Sequence, residues 1–185
     1  ISVIKGTVEK RDPGAVAWTL VTPGEKIAEG GTLRTNANSY AEIQTERGHH
    51  FKVRSETVFE LTQLQDDAIQ GRLEKGRVLS SVKKLAQKEI FKIQTPTAVC
   101  AVRGTQFDTM ANEKGTLIAV YEGVVGVAAM GGGDEMTLKA GQMTTVTGGT
   151  IELPRPIPKD SSRESSSDPL AQEALLRVAP DRSEE

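Results

Sequence analysis

From Ile1 to about Leu153 the chain repeats one rhythm. Runs of three to six residues, β-branched or alternating apolar and polar, are each closed by Gly, Pro or Asn. "ISVIKGTVEK" opens the series around Gly6, and "RDPG" at 11–14 reads as a turn, with Pro13 presetting φ and Gly14 free to turn positive. "TPGE", "EGG", "NAN" and "ERGH" are the next turns along the chain. In "TVFELTQLQDDAIQ" the Val58, Leu61, Leu64 spacing fits a helix turn, but β-branching and alternation in "TVFEL" predict a strand. "KKLAQKE" at 83–89 is the one stretch of this region able to form a helical turn, and its setting predicts a loop.

Internal similarity adds to this pattern. "ISVIKGTV" at 1–8 matches "IAVYEGVV" at 118–125, and in each case a Thr-Leu strand ending in a glycine turn comes next, "WTLVTPGE" and then "MTLKAGQ". "LEKGRV" at 73–78 supplies a third Gly-x-Val strand. A unit of this size cannot bury an apolar face alone, so copies must stack or face one another. The expected fold is all-β, with short strands in a β-solenoid-like wrap first and a sandwich second.

After Leu153 the pattern stops. "PRPIPKDSSRESSSDP" is proline, serine and charge without an apolar period. "DPLAQEALLRVAPD" then puts Leu170, Ala174, Leu175 and Val178 on one helical side, with Asp168 as N-cap, Pro169 at the first position and Pro180 as the stop. The predicted organisation is a β domain over 1–153, a linker over 154–167, and a C-terminal helix and tail over 168–185. That helix either docks on its own body, or binds a partner or joins two copies into a homo-oligomer.

Charge and composition narrow the functions. Lys plus Arg number 23 against 25 Asp plus Glu, with signs interspersed, so no one-sided positive field exists for nucleic acid. Aromatic residues are 4% of the chain, too few to supply both a core and a stacking platform. No apolar run approaches the length of a membrane span. The sequence starts at Ile1 rather than Met, which predicts that an N-terminal piece such as a leader precedes it.

The stretch "TPTAVCAVRGTQFDT" at 95–109 concentrates the candidate residues. Thr95-Pro96 enters in extended geometry. Small or apolar residues on both sides of 98–102 predict a strand buried on both faces, within which Cys100 acts as a small hydrophobe. Gly104 marks a bulge or a close backbone approach. Arg103, at the edge of a dry region, needs a carboxylate or several carbonyls, and Asp108 is the nearest carboxylate in sequence, with Glu122 and Glu60 as others.

The same stretch resembles the FecR family, named after the ferric-citrate transport regulator of Gram-negative bacteria. The family core is an extended "f-x-v-x-T-P-x-A-x-x-x-V-R-G-T-x-F" segment, matched here from Phe91 to Phe107. "LEKGRV" precedes it, and "VYEGVV" and "LKAGQ" come after it, in the family's order. The likeness covers about residues 1–147, and it makes Pro96, Cys100, Arg103, Gly104, Phe107 and Asp108 the motif residues to place. It implies an extracytoplasmic, all-β, non-enzymatic domain that senses or transmits through protein contact. In the anti-sigma type, a cytoplasmic helical segment and a membrane span precede such a domain, and a small signalling domain lies after it.

Catalytic and metal chemistry find little support. His49 and His50 are adjacent in "ERGHH", so on a strand they point to opposite faces, and both are expected at a solvent-exposed turn. "MGGGDEM" at 130–136 lacks the Lys-Ser/Thr of a phosphate loop and reads as a hairpin tip. "QDD" at 65–67 lacks calcium-loop spacing. The expectation is a non-catalytic envelope module in the periplasm or otherwise outside the cytoplasm, without cofactor or metal, whose partner is another envelope protein or an envelope polymer. The alternative is a small-ligand-binding jelly roll of cupin or cyclic-nucleotide-binding type, suggested by "VYEGVV…MTLKAGQ".

Overall fold

Every regular element is a strand among the residues described by this computed structural model, 1–65, 68–84, 89–102 and 104–158. In chain order they are β1 (Val3–Lys5), β2 (Val8–Arg11), β3 (Thr19–Leu20), β4 (Thr32–Thr35), β5 (Tyr40–Gln44), β6 (His50–Val53), β7 (Val58–Leu64) and β8 (Ala68–Ser81). Then come β9 (Ile90–Gln94), β10 (Ala98–Val102), β11 (Gln106–Ala111), β12 (Gly115–Glu122), β13 (Val124–Ala129), β14 (Met136–Lys139), β15 (Gln142–Thr147), β16 (Thr150–Ile151) and β17 (Arg155–Pro156). The predicted helix, and most of the predicted linker, lie outside the described residues.

The strands form one open, mixed sheet folded into two layers. One layer runs β1, β5, β6, the second half of β8, β11, β12, β15, with β16 and β17 along its edge. The other runs β3, β2, β4, β7, the first half of β8, β9, β10, β13, β14. Among the described strands β8, at 14 residues, is the one that pairs in both.

The repeated Gly-x-Val units are the corners of this arrangement. At Gly76, φ is 96° and β8 passes from one layer to the other; at Gly123, φ is 80° and β12 of the first layer gives way to β13 of the second. Gly6 occupies the same place between β1 and β2. A Cβ at Gly76 would come within 2.5 Å of the Thr57 Cα, and one at Gly123 within 2.8 Å of the Gly104 carbonyl oxygen. Positive φ and close approach together exclude a side chain at both.

This corner geometry corrects the solenoid-like expectation. A solenoid stacks each coil on its equivalent one repeat away, whereas here each corner delivers the chain to the opposite layer. Partners are then distant strands paired antiparallel, such as β1 with β5 and β10 with β13; β8 with β9 is the parallel pair. The sandwich arrangement, expected second, is the one that forms.

Between the layers lies a filled core. Phe51 and Phe107 from one layer meet Phe59 and Phe91 from the other, all four buried. Phe51 stacks on Phe91 at 5.5 Å between ring centroids, and Phe107 meets Phe91 edge-on at 6.4 Å. Such pairs add about 0.5–1.5 kcal/mol each beyond the area they bury. Together with Leu33, Ile43, Leu61, Leu73, Ile93 and Leu138 they form the core between the layers. A cavity of about 300 Å³ opens at one end, floored by Ile27, Ile43, Leu61 and Ile69.

Strand pairing also continues into the stretch read as linker. Arg155 and Pro156 pair with Met143 and Gln142, and the Ile157 N–H donates to the Gly141 carbonyl at 2.9 Å.

Candidate functional site

The motif stretch begins as a tight hairpin between β9 and β10. Pro96 sits exposed at its tip, with the two flanking threonines turned inward. The Thr95 hydroxyl accepts the Ala98 N–H at 2.8 Å and the Thr97 N–H at 3.3 Å. It also shares a 2.6 Å hydrogen bond with the Thr116 hydroxyl of β12, to which Thr97 is joined at 2.7 Å. Three threonines thus tie a hairpin of one layer to a strand of the other.

Along β10 the expected burial on both faces gives way to alternation. Ala98, Cys100 and Val102 are buried in the core, whereas Val99 and Ala101 face outward and are half-covered. Burial pushes the Cys100 thiol up to about 12, so it stays protonated at neutral pH and behaves as packing.

Gly104 has φ 67°, and a Cβ there would come within 2.7 Å of the Lys84 Cα, a close approach of two backbones. Arg103, and with it the expected Arg103 ion pair, lies outside the described residues. Phe107 is buried between the layers. Asp108, next along β11, points to the opposite face and is also buried, and its partner is Arg77 of β8. Arg77 donates to the same Asp108 oxygen from Nε at 2.7 Å and from Nη2 at 2.5 Å. Sequence spacing alone does not reveal Arg77; the signal is its place directly after the corner glycine of "LEKGRV".

The histidines differ from expectation in one respect. His49 and His50 do point apart, but His49 is buried, with its Nδ1 accepting the Lys83 N–H at 3.2 Å and its ring 6.2 Å from Phe91. Burial, and then the charges of Arg47 and Lys83, hold its pKa below the ordinary value, which keeps it neutral. His50 lies on the outward face, 3.2 Å from a Glu42 carboxylate oxygen. Among the described residues no group of three His, Cys, Asp or Glu is placed to share a metal ion. No helix among them is long and apolar enough to cross a membrane.

What the motif does present is a groove. Across β9, β10, β13 and β14 one cross-strand row reads Lys92, Ala101, Gly126, Thr137, and its two central members leave little bulk on the outward face. The resulting depression holds about 510 Å³. Ile90 and Val124, each 47% exposed, line it as apolar contacts, and the Glu135 carboxylate lies against Gly126. The outward small residues of "AVCAV" and "VVGVAA" carry its signal in the sequence, readable once the two strands are known to be neighbours.

The family model described as FecR protein matches residues 31–126, from β4 through the first half of β13. The chain belongs to the FecR family. This FecR-family fold is shared with two crystal structures of a protein from Parabacteroides distasonis, described as a candidate anti-sigma factor. Each has a TM-score of 0.59 and 20% identity, over 68% of this chain and 59% of the other, so this FecR-family chain spans about three fifths of that protein's length. At that identity the likeness speaks for the fold alone. Among curated proteins none matches.

Proposed function

We propose that this FecR-family chain is a non-catalytic signalling module that works outside the cytoplasm in the bacterial envelope, receiving or passing on a signal through contact with another protein. The groove over β9, β10, β13 and β14 is its contact surface. The observation that carries this reading is that β10, the centre of the family motif, turns one face into a filled core and the other into an open depression flanked by exposed Ile90 and Val124. Two apolar side chains beside a floor of Ala101 and Gly126 suit a protein segment laid across the strands, since burying apolar surface at the centre of a patch is what sustains such contacts. The protonated, buried Cys100 and the neutral, buried His49 fit a body built for packing.

Location and contact are tested together in the natural host with the full-length protein. Protease added to intact spheroplasts is expected to digest the domain without lysis; protection until lysis contradicts an extracytoplasmic site. A photo-crosslinking residue at Val124 is expected to trap a protein partner, and one at Lys114, in the distant β11–β12 turn, is not. Equal trapping at both positions removes the groove from the account.

A further inference from the structure

The layer that carries the groove ends, on its far side, in the edge strand β3. The Val21 N–H donates to the Val8 carbonyl at 3.0 Å, and Thr19 stands opposite Lys10. Successive residues of a strand turn their N–H and C=O groups to alternate sides, so Thr19 and Val21 face β2, while Trp18 and Leu20 face the open edge. Leu20 is 70% exposed, and Val16, just before this strand, is 92% exposed. Trp18 is half-buried and held by two guanidiniums, with Arg34 4.3 Å and Arg11 4.8 Å from its ring centre. Other edges of the sheet are protected against further pairing, since β1 ends in Lys5, β14 ends in Lys139 and β17 holds Pro156. β3 carries neither charge nor proline.

We propose that β3 pairs antiparallel with β3 of a second copy of this chain, about a two-fold axis at Thr19. In that register Trp18 of each copy stands opposite Leu20 of the other. The backbone groups left over on each edge are then matched, and each exposed Leu20 gains an indole as its cover. Antiparallel order also brings the Thr22 end of one strand past the Trp18 end of the other. Glu25, whose carboxylate accepts the Thr22 N–H at 2.8 Å, is thereby carried toward Arg11 of the second copy, and Arg11 has no carboxylate partner among the described residues. Opposite charges approach at both ends of an apolar pair that is its own complement, which favours a second copy over an unrelated strand. The groove lies at the other end of the layer, so pairing through β3 leaves it open in both copies. A contact of this small size belongs with weak, reversible associations.

The test uses the full chain. Sedimentation over a series of rising protein concentrations is expected to show a monomer passing into a dimer. Leu20→Lys puts a charge on the open edge and is expected to weaken that association about tenfold or more, whereas Leu153→Lys, at another exposed site, is expected to leave it unchanged. Thr19→Cys sets two thiols opposite each other at a non-hydrogen-bonded position, where Cα atoms come within about 4.5 Å, and is expected to form a disulfide between copies on mild oxidation. Adding Leu20→Lys is expected to suppress that disulfide, and the buried Cys100 takes no part in it. A monomer at every concentration overturns the proposal. So does a dimer that Leu20→Lys leaves as strong, one that Leu153→Lys weakens equally, or a disulfide that forms as readily with Leu20→Lys present.

Discussion

Arg77 and Asp108 meet 31 residues apart in sequence, with Nε and Nη2 of the guanidinium both aimed at one carboxylate oxygen on a buried outer face. Removing one partner strands the other charge away from water. Asp108→Ala is therefore expected to cost about 3–5 kcal/mol in a denaturant titration. Arg77→Met combined with Asp108→Leu replaces the pair by apolar bulk and is expected to lose less than Asp108→Ala alone. A double variant as unstable as the single one contradicts the assignment.

The pair also shows where the sequence ceases to inform. Asp108 is legible as an ion-pair candidate because it is the carboxylate nearest the motif arginine in sequence, yet Arg77, which also meets it, comes from a strand that only the two-layer topology brings alongside. His49 is misread for a related reason: "ERGHH" does turn, but the turn ends one residue early and hands His49 to the core. Strand rhythm, corner glycines and family motif are local signals, and they are readable. Layer assignment, which separates a sandwich from a solenoid, depends on which distant strands pair.

Thr116 is expected to be sensitive through its hydroxyl. It joins Thr95 and Thr97 in a buried site. Thr116→Val is expected to cost about 1–3 kcal/mol by leaving buried polar groups short of a partner. Thr116→Ser is expected to retain most of the stability, and equal losses in the two variants exclude the hydrogen-bond explanation.

At the corners, conformation and crowding separate cleanly. Gly76 and Gly141 both have positive φ, 96° and 83°, but a Cβ at Gly76 runs into Thr57 while one at Gly141 meets nothing within 4 Å. Gly76→Ala is expected to lose more than about 1 kcal/mol, and clearly more than Gly141→Ala, which carries the backbone strain alone. Thermal midpoints of the two variants check this ranking.

His49 makes stability depend on mild acid. Its folded pKa is depressed, so the unfolded chain takes up the proton first as pH falls. The contribution is complete above the ordinary histidine value and is lost as pH drops from there toward the folded value. Denaturant midpoints at pH 7.5 and 5.5 are expected to fall in the unmodified protein. The fall is expected to be smaller in His49→Asn, whose side-chain oxygen can still accept the Lys83 N–H; an equal fall in both proteins assigns the effect to other groups.

Signalling is proposed to pass through the groove beside β10. Ile90→Asp with Val124→Asp changes two exposed side chains, so the variant is expected to keep the thermal midpoint and cellular level of the unmodified protein. The deciding measurement is the transcriptional response of the natural host with this variant in place of the chromosomal copy, set beside a deletion of the gene. A profile matching the deletion is expected. A profile matching the unmodified strain, from a folded and normally abundant variant, contradicts it.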